Sequence, residues 1–409
     1  MNKRLDVNEC EDLVKSSKNV IFHGAPGTGK TYLAKQIAAK IVSNDCCDQY
    51  AKLENLQNQV GFIQFYPGYD YSNFVEGYKP SSEKNENIKF SLDDGIFKAF
   101  VYDARKKYEE CETLKKLGGE DLNQAVIKRL QQYKESEHPF YTYRNEHSNG
   151  RHNKFYIAGV NPDGGKIDID SKSVKSGTEI ALNLSQLLEG PGDLKNNFGI
   201  NEVKNTSNLP SYYRPIWDFL FNPPKFVFII DEINRGNTSS IFGELFYAID
   251  PNNRGKKGEV TLQYSGKKFY IPENVLIIGT MNDIDRSVEP FDFAFRRRWT
   301  SKLIEPTETQ DGILSGFKDD LKDGIVSRMN RLNAKIQETD GLGADYQIGA
   351  AYFLKLKDLS NDFDKLWNDS LEPLLKEYVY GMDNAETLLK GFKKAYYTTQ
   401  DDGGLQEQN

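Results

Sequence analysis

Three stretches of the 409-residue chain predict a three-layer α/β fold built on a parallel sheet. The first is Gly24-Ala25-Pro26-Gly27-Thr28-Gly29-Lys30-Thr31, a full match to G-x-x-x-x-G-K-[ST] set between an apolar run and a helical pattern. The second is Phe226 to Ile230, consecutive apolar residues that end on Asp231-Glu232. The third is the apolar run 275–280, which ends on Met281-Asn282. Unbroken hydrophobicity over this length suits parallel strands buried on both faces. Polar residues at the C-terminal ends of such strands stand where open α/β sheets bind ligands.

Each element follows in order along the chain. Val20 to Phe22 predicts a first strand near 19–23, and Leu33, Ile37 and Ile41 at four-residue spacing predict the helix after the loop. In that loop, glycines let backbone N–H groups turn inward and approach phosphate oxygens. The helix N-terminus adds partial positive charge, Lys30 reaches the β- and γ-phosphates, and Thr31 is a ligand for Mg²⁺. A second strand is expected near 60–65. The third, 226–231, carries Asp231 as the metal carboxylate and Glu232 as the group that polarises the attacking water. The fourth, 275–280, places Asn282 in the same crevice, where an amide positions water without adding charge. A fifth strand is expected near 300–304.

Between the second and third of these strands, residues 101–225 predict an inserted α+β module. Lys and Glu at helical spacing over 101–136 predict a solvated helix. "KFYIAGV", "NPDGG" and "KIDID" then read as strand, turn and strand. The charges of the module nearly balance, so a phosphate-driven grip on DNA is not indicated. Tyr212, Tyr213 and Trp217 have the chemistry to stack on a base, with core packing the favoured alternative. Pro162-Asp163 with Asp170-Ser171-Lys172 imitates a nuclease metal site, but Asp163 sits in a strong turn signal, so nuclease activity is not expected. His138, His147 and His152 are expected on the surface.

Composition sets the outer limits. Charged residues make up 28% and the net charge is −7, which excludes a general polycation awaiting nucleic acid. Cys10, Cys46, Cys47 and Cys111 lack metal-ligand spacing and are expected as reduced thiols. No apolar run approaches the roughly 20 residues that span a bilayer, and the N-terminus has no apolar signal core. A cytoplasmic protein without membrane contact is therefore expected.

Several blocks in order resemble AAA+ ATPases, and within them the McrB family, the GTP-hydrolysing motors of McrBC modification-dependent restriction systems. They are "GAPGTGKT" (24–31), "VGFIQFYPGYDYSNFVEGYKP" (60–80), "DDGIFKAF" (93–100), "FIIDEINRGN" (228–237), "MNDIDRS" (281–287) and "FAFRRRW" (293–299), with "GLGADYQIGAAYF" (341–353) and "LEPLLKEY" (371–378) similar to the family's helical lid. The resemblance implies an AAA+ P-loop NTPase core over 1–100 and 226–305, a helical lid over 306–397, and a tail, 398–409, expected to be disordered. It makes residues 24–31 the nucleotide loop, Thr31 and Asp231 the Mg²⁺ ligands, Glu232 the catalytic carboxylate and Asn282 the sensor asparagine. Asp285 and Arg286 fall in a loop that lies at the subunit interface in this family, and Arg296 or Arg297 is similar to a finger acting on the neighbouring subunit.

The family further implies a hexameric ring, GTP or ATP as substrate with GTP favoured, and an McrC-like nuclease partner through which DNA is contacted for phage defence. Residues 61–98 look like the helix-2 insertion of this AAA+ branch, and 260–272 like a hairpin before the sensor strand. Three features depart from the pattern. About 19 residues precede Val20, so the family's N-terminal modified-DNA-binding domain is not expected; the insertion 101–225 is additional; and Ala350 stands where the lid motif carries a basic residue. Two other classes fit the same core: a MoxR-like protein-remodelling ATPase, and a nucleotide-gated scaffold with little turnover.

Overall fold

The computed structural model describes residues 5–43, 58–81, 89–135, 140–141, 154–161, 165–170, 180–188, 209–284, 291 and 293–398. A helix, Val7–Ser17, opens the described chain, with the Asp6 side chain accepting from the Asn8 N–H at its start. Strand β1 (Asn19–Gly24) runs into the glycine loop and the helix Lys30–Ser43. After β2 (Val60–Gln64) and the short helix Tyr71–Phe74 comes an antiparallel hairpin, β3 (Glu76–Ser81) and β4 (Lys89–Asp94). Helices Ile96–Lys116 and Gly119–Glu135 lead to β5 (Phe140–Tyr141), β6 (Lys154–Asn161), β7 (Lys166–Asp170) and β8 (Ile180–Asn183), and the helix Leu209–Phe221 returns the chain. Strand β9 (Phe226–Asp231), a small hairpin of β10 (Val260–Thr261) and β11 (Lys268–Phe269), β12 (Val275–Asn282) and β13 (Thr300–Leu303) complete the strands.

The main sheet has five strands in the order β13-β1-β12-β9-β2, all parallel. All five expected strands are present. The central ones are buried on both faces, β9 from Phe226 to Ile230 and β12 from Val275 to Thr280, as their unbroken hydrophobicity predicts. One face packs on Phe74, Phe97, Val101, Phe242 and Phe295, the other on Leu33, Ile37 and Ile41 of the loop helix and Val14 of the first helix. Parallel register brings the C-terminal ends of β1, β12, β9 and β2 to one edge: Gly24 stands opposite Asn282, and Gln64 opposite Asp231.

The insertion differs from its sequence reading in one element. Instead of one helix over 101–136 there are two, because the chain turns at Leu117–Gly118 and Gly119 adopts φ +57°, a left-handed conformation that suits glycine. The first of these helices also crosses the expected boundary at 101. Phe97, Val101 and Ala104 pack in the main core, whereas Leu114 packs with Phe140, Phe155 and Leu182 in the core of the insertion. The strand–turn–strand reading matches β6 and β7, which pair antiparallel from Asn161↔Lys166.

The two hairpins touch. Glu76 of β3 is fully buried, and one carboxylate oxygen accepts from the N–H groups of Tyr264 (3.0 Å) and Ser265 (2.8 Å) at the tip of the second hairpin. Its other oxygen pairs with Lys98 at 2.6 Å. Beyond β13 the chain is helical, with a separate core around Met329, Leu332, Phe353, Trp367 and Phe392. The expected disorder of 399–409, the surface histidines at 138, 147 and 152, Cys46, Cys47, Asp163, Ser171 and Lys172 lie outside the described residues. Cys10 and Cys111 are buried free thiols, both pushed up by burial. Among the described residues no helix is long and apolar enough to cross a membrane.

Candidate functional site

The glycine loop closes over Lys30. Gly24 takes φ +142°, and a Cβ there would stand 2.5 Å from the Ile304 carbonyl oxygen, so only glycine lets β1 leave the sheet at this point. Lys30 is 6% exposed, and its Nζ donates to the carbonyls of Gly24 (3.0 Å) and Ala25 (2.7 Å) and to Thr28 Oγ1 (3.3 Å). Burial holds its ammonium down at about 8, against the pull of Asp283, Glu232 and Asp231. Thr28 Oγ1 in turn donates to the Ala25 carbonyl at 3.0 Å, which fixes the loop's own shape.

Opposite the loop, Asp231 Oδ1 accepts from Thr31 Oγ1 at 2.7 Å and from Thr280 Oγ1. Among the described residues no group of three or more His, Cys, Asp or Glu is arranged to hold a metal by itself. Thr31 and Asp231 still fit Mg²⁺, which is usually held by one or two carboxylates together with substrate phosphates and water. Glu232 follows in the left-handed region, φ 51°, an uncommon conformation for a residue with a side chain and one that clusters at functional sites. Its Oε1 accepts from Asn282 Nδ2 at 2.7 Å, and its Oε2 from Arg235 Nε at 3.2 Å. Asn234 Nδ2 donates to the Asn282 carbonyl at 3.3 Å.

The structure thus brings together Lys30, Thr31, Asp231, Glu232 and Asn282 from the ends of three adjacent strands. Sequence reasoning missed Thr280, Arg235 and Asn234. Thr280 was open to discovery, because residues two apart on a strand share a face and it precedes Asn282 by two. Arg235 and Asn234 lie on the single turn Ile233–Arg235, whose direction no periodicity announces. His23 Nδ1 and Asp283 Oδ2, 2.9 Å apart, tie the ends of β1 and β12 beside the site.

The cationic triplet divides. Arg296 and Arg297 are exposed, with Arg296 Nε donating to the Phe291 carbonyl at 3.2 Å. Arg298 is buried, 3.8 Å from Asp250 and 4.9 Å over the Phe246 ring. All three precede β13, whose Thr300 pairs with Val20 near the start of β1. They belong to the edge of the sheet opposite Gly24, about 13 Å away by the rise of the strand. Asp285 and Arg286 lie outside the described residues.

The helical region caps the loop. The N–H groups of Gly349 and Ala351 donate to the carbonyls of Pro26 (2.8 Å) and Gly27 (3.0 Å). A Cβ on Gly27 would meet the Tyr352 ring at 2.6 Å, and one on Gly349 would meet the Gly27 carbonyl carbon at 2.1 Å. Ala350 is buried, and Asn333 braces this turn through both main-chain groups of Ile348. Lid and loop are joined through backbone, at the place where the family motif carries a basic side chain.

Tyr212 and Tyr213 are buried and Trp217 packs against the same core, so the aromatic cluster of the insertion is its interior. Tyr212 meets Phe155 edge-on at 5.0 Å.

A phosphate-binding loop facing two carboxylates across the ends of parallel strands defines a P-loop NTPase. Residues 192–299 match the AAA domain of the dynein-related subfamily. The helical region narrows this further, since residues 324–386 match the McrB alpha-helical lid domain. Together these matches make the chain similar to McrB-type AAA+ proteins. It is 25% identical over 377 residues to the Type IV methyl-directed restriction enzyme EcoKMcrB subunit of Escherichia coli (strain K12), covering 89% of this chain and 54% of that protein. It is 30% identical over 180 residues to the Type II restriction enzyme BsuMI component YdiS of Bacillus subtilis (strain 168), covering 38% of this chain and 49% of that protein. The chain spans about half the length of the curated relatives it matches.

Proposed function

We propose that this chain is the nucleotide-hydrolysing motor subunit of a restriction complex used in phage defence. It works as a ring, hexameric by family, with an McrC-like nuclease partner through which DNA is contacted. The substrate is GTP or ATP, with GTP favoured by family. The observation that carries the reading is the shared hydrogen bonding of Glu232 and Asn282 beside the Thr31–Asp231 pair, with Lys30 buried in the facing loop.

Each group has a defined task in that reading. Lys30 and the loop N–H groups hold the β- and γ-phosphates. Thr31 and Asp231 would hold Mg²⁺, which when bound neutralises charge developing on the phosphates. Glu232 polarises the attacking water and Asn282 orients both, its amide already on the carboxylate. Arg296 and Arg297 stand at the far edge of the sheet from their own loop, which favours action on a neighbour's nucleotide. A finger of this kind is typically worth about 10³–10⁵ in rate. Asp285 and Arg286 are assigned to the interface by family alone. The two relatives named as restriction-enzyme components favour this reading over a protein remodeller or a silent scaffold.

The test is phosphate release from ATP and from GTP, each with and without the candidate nuclease subunit. Turnover that rises with the partner is expected. Turnover indifferent to it would point to the remodelling ATPase, and binding without release to the scaffold.

A further inference from the structure

The four-residue helix Phe293–Arg296 that presents the exposed arginines is too short to be stable by itself. Something else must fix the direction of Arg296 and Arg297. At its C-terminal side, Asn19 is fully buried at the start of β1, and its Nδ2 donates to the carbonyls of Arg298 (2.9 Å) and Ile249 (2.8 Å). Its Oδ1 accepts from Arg254 Nη2 at 2.5 Å. Arg254 is 1% exposed, and its Nε and Nη1 have no hydrogen-bond partner among the described residues. Burial pushes its guanidinium down to about 9, with the charge of Asp250 opposing. The Arg298 side chain turns back, donating to the Ala294 carbonyl and facing Asp250.

Burying an arginine with most of its donors idle is costly. None of these three residues touches the chain's own nucleotide site, which lies at the other end of β1. What they do hold is the turn between the exposed arginines and β13. We propose that Asn19, Arg254 and Arg298 form a positioning network that aims Arg296 and Arg297 at the neighbouring subunit. The assignment rests on the reading of those two arginines as fingers acting in trans. Strand β1 then carries the nucleotide loop at one end and the anchor of the finger at the other. Arg298 is the member of the triplet that sets direction, and the other two supply the reaching charge.

The experiment uses Asn19→Asp in the assembled full chain, under conditions in which the unsubstituted protein turns over. Aspartate keeps an acceptor for Arg254 but cannot donate to the Arg298 and Ile249 carbonyls. Nucleotide affinity is expected to stay within about threefold while turnover falls at least tenfold. Mixed with Glu232→Gln subunits, which lack a working site but keep their fingers, Asn19→Asp should recover several times the turnover of either alone. A purely structural defect gives no such recovery. Unchanged turnover in Asn19→Asp, or a mixture no better than its components, overturns the proposal. If Asn19→Asp loses nucleotide binding, Arg298→Lys decides by the same mixture, since it keeps a cation over Phe246 but loses the guanidinium fork that reaches both Ala294 and Asp250. Arg296→Ala/Arg297→Ala tests the underlying reading separately: full turnover in that variant removes the finger itself, whatever Asn19→Asp does.

Discussion

The main sheet and the sheet of the insertion both bury aromatic and aliphatic side chains, yet they dispose of their polar groups in opposite ways. In the main sheet β9 and β12 are apolar along their length and polar only at their C-terminal ends, where Asp231, Glu232, Thr280 and Asn282 bond to one another. In the insertion the strands are antiparallel, and β7 alternates between buried and open positions, so polar groups are spread along it and face water. Concentration of interacting polar groups at one strand edge is what reactive sites need. The comparison teaches that chemistry belongs to the first region and stability or contact to the second.

The largest effect expected from this contrast is on Glu232. Glu232→Gln keeps an acceptor for Asn282 but loses the charge that polarises water. Hydrolysis should fall by about 10²–10⁴, the usual range for a lost general base, with nucleotide affinity unchanged in a binding assay. Residual turnover above a tenth would break the assignment of chemistry to this edge.

Next comes a deletion in the other core. Phe155 is fully buried between Phe140 and Tyr212. Phe155→Ala should cost about 3–5 kcal/mol of stability in chemical denaturation, yet leave hydrolysis per folded molecule as it was. A collapse of hydrolysis at full folding would show that the insertion reaches the site, and the contrast between the two regions would fail.

Much of this was open to reading in the sequence, and for a physical reason. Val20–Phe22, Phe226–Ile230 and Val275–Ile278 are buried on both faces, so their composition alone fixes them as central strands. The polar residues that end them are polar because the strands stop there. Residues that matter through long-range contact left no such mark. Asn19 and Arg254 meet across 235 positions of chain, and the backbone bond between Gly349 and Pro26 involves no side chain at all. The break at Gly118-Gly119 lies between two stretches that carry the same Lys/Glu helical pattern, so periodicity alone does not separate them.

A gentler effect follows from Lys30. Burial holds the free protein's ammonium at about 8, below the usual lysine range. Bound phosphates bring negative charge to it, so the complex keeps the proton to higher pH than the free protein does. The free state therefore binds fewer protons above pH about 8, and affinity should fall with rising pH by a factor approaching tenfold per unit. Calorimetry in two buffers of different ionisation enthalpy would register proton uptake on binding. Affinity flat between pH about 7 and 9 would mean that Lys30 stays charged without nucleotide.

The smallest effect should come from a hydroxyl in the insertion. Tyr213 OH accepts from the Asn183 N–H at 2.8 Å and donates to Gln186 Oε1 at 3.1 Å, where the β-sheet of the insertion meets its helices. Tyr213→Phe keeps the ring in place and removes both bonds. Asn183 is exposed, so water can replace the lost partner, and the cost should lie near about 0.5–1 kcal/mol. A small shift of the unfolding midpoint, with nucleotide binding and hydrolysis unmoved, would keep this hydroxyl on the structural side of the contrast. If hydrolysis in the assembled complex fell instead while the lone chain behaved normally, the insertion would be a contact surface within the complex, and its tyrosine would answer to the partner.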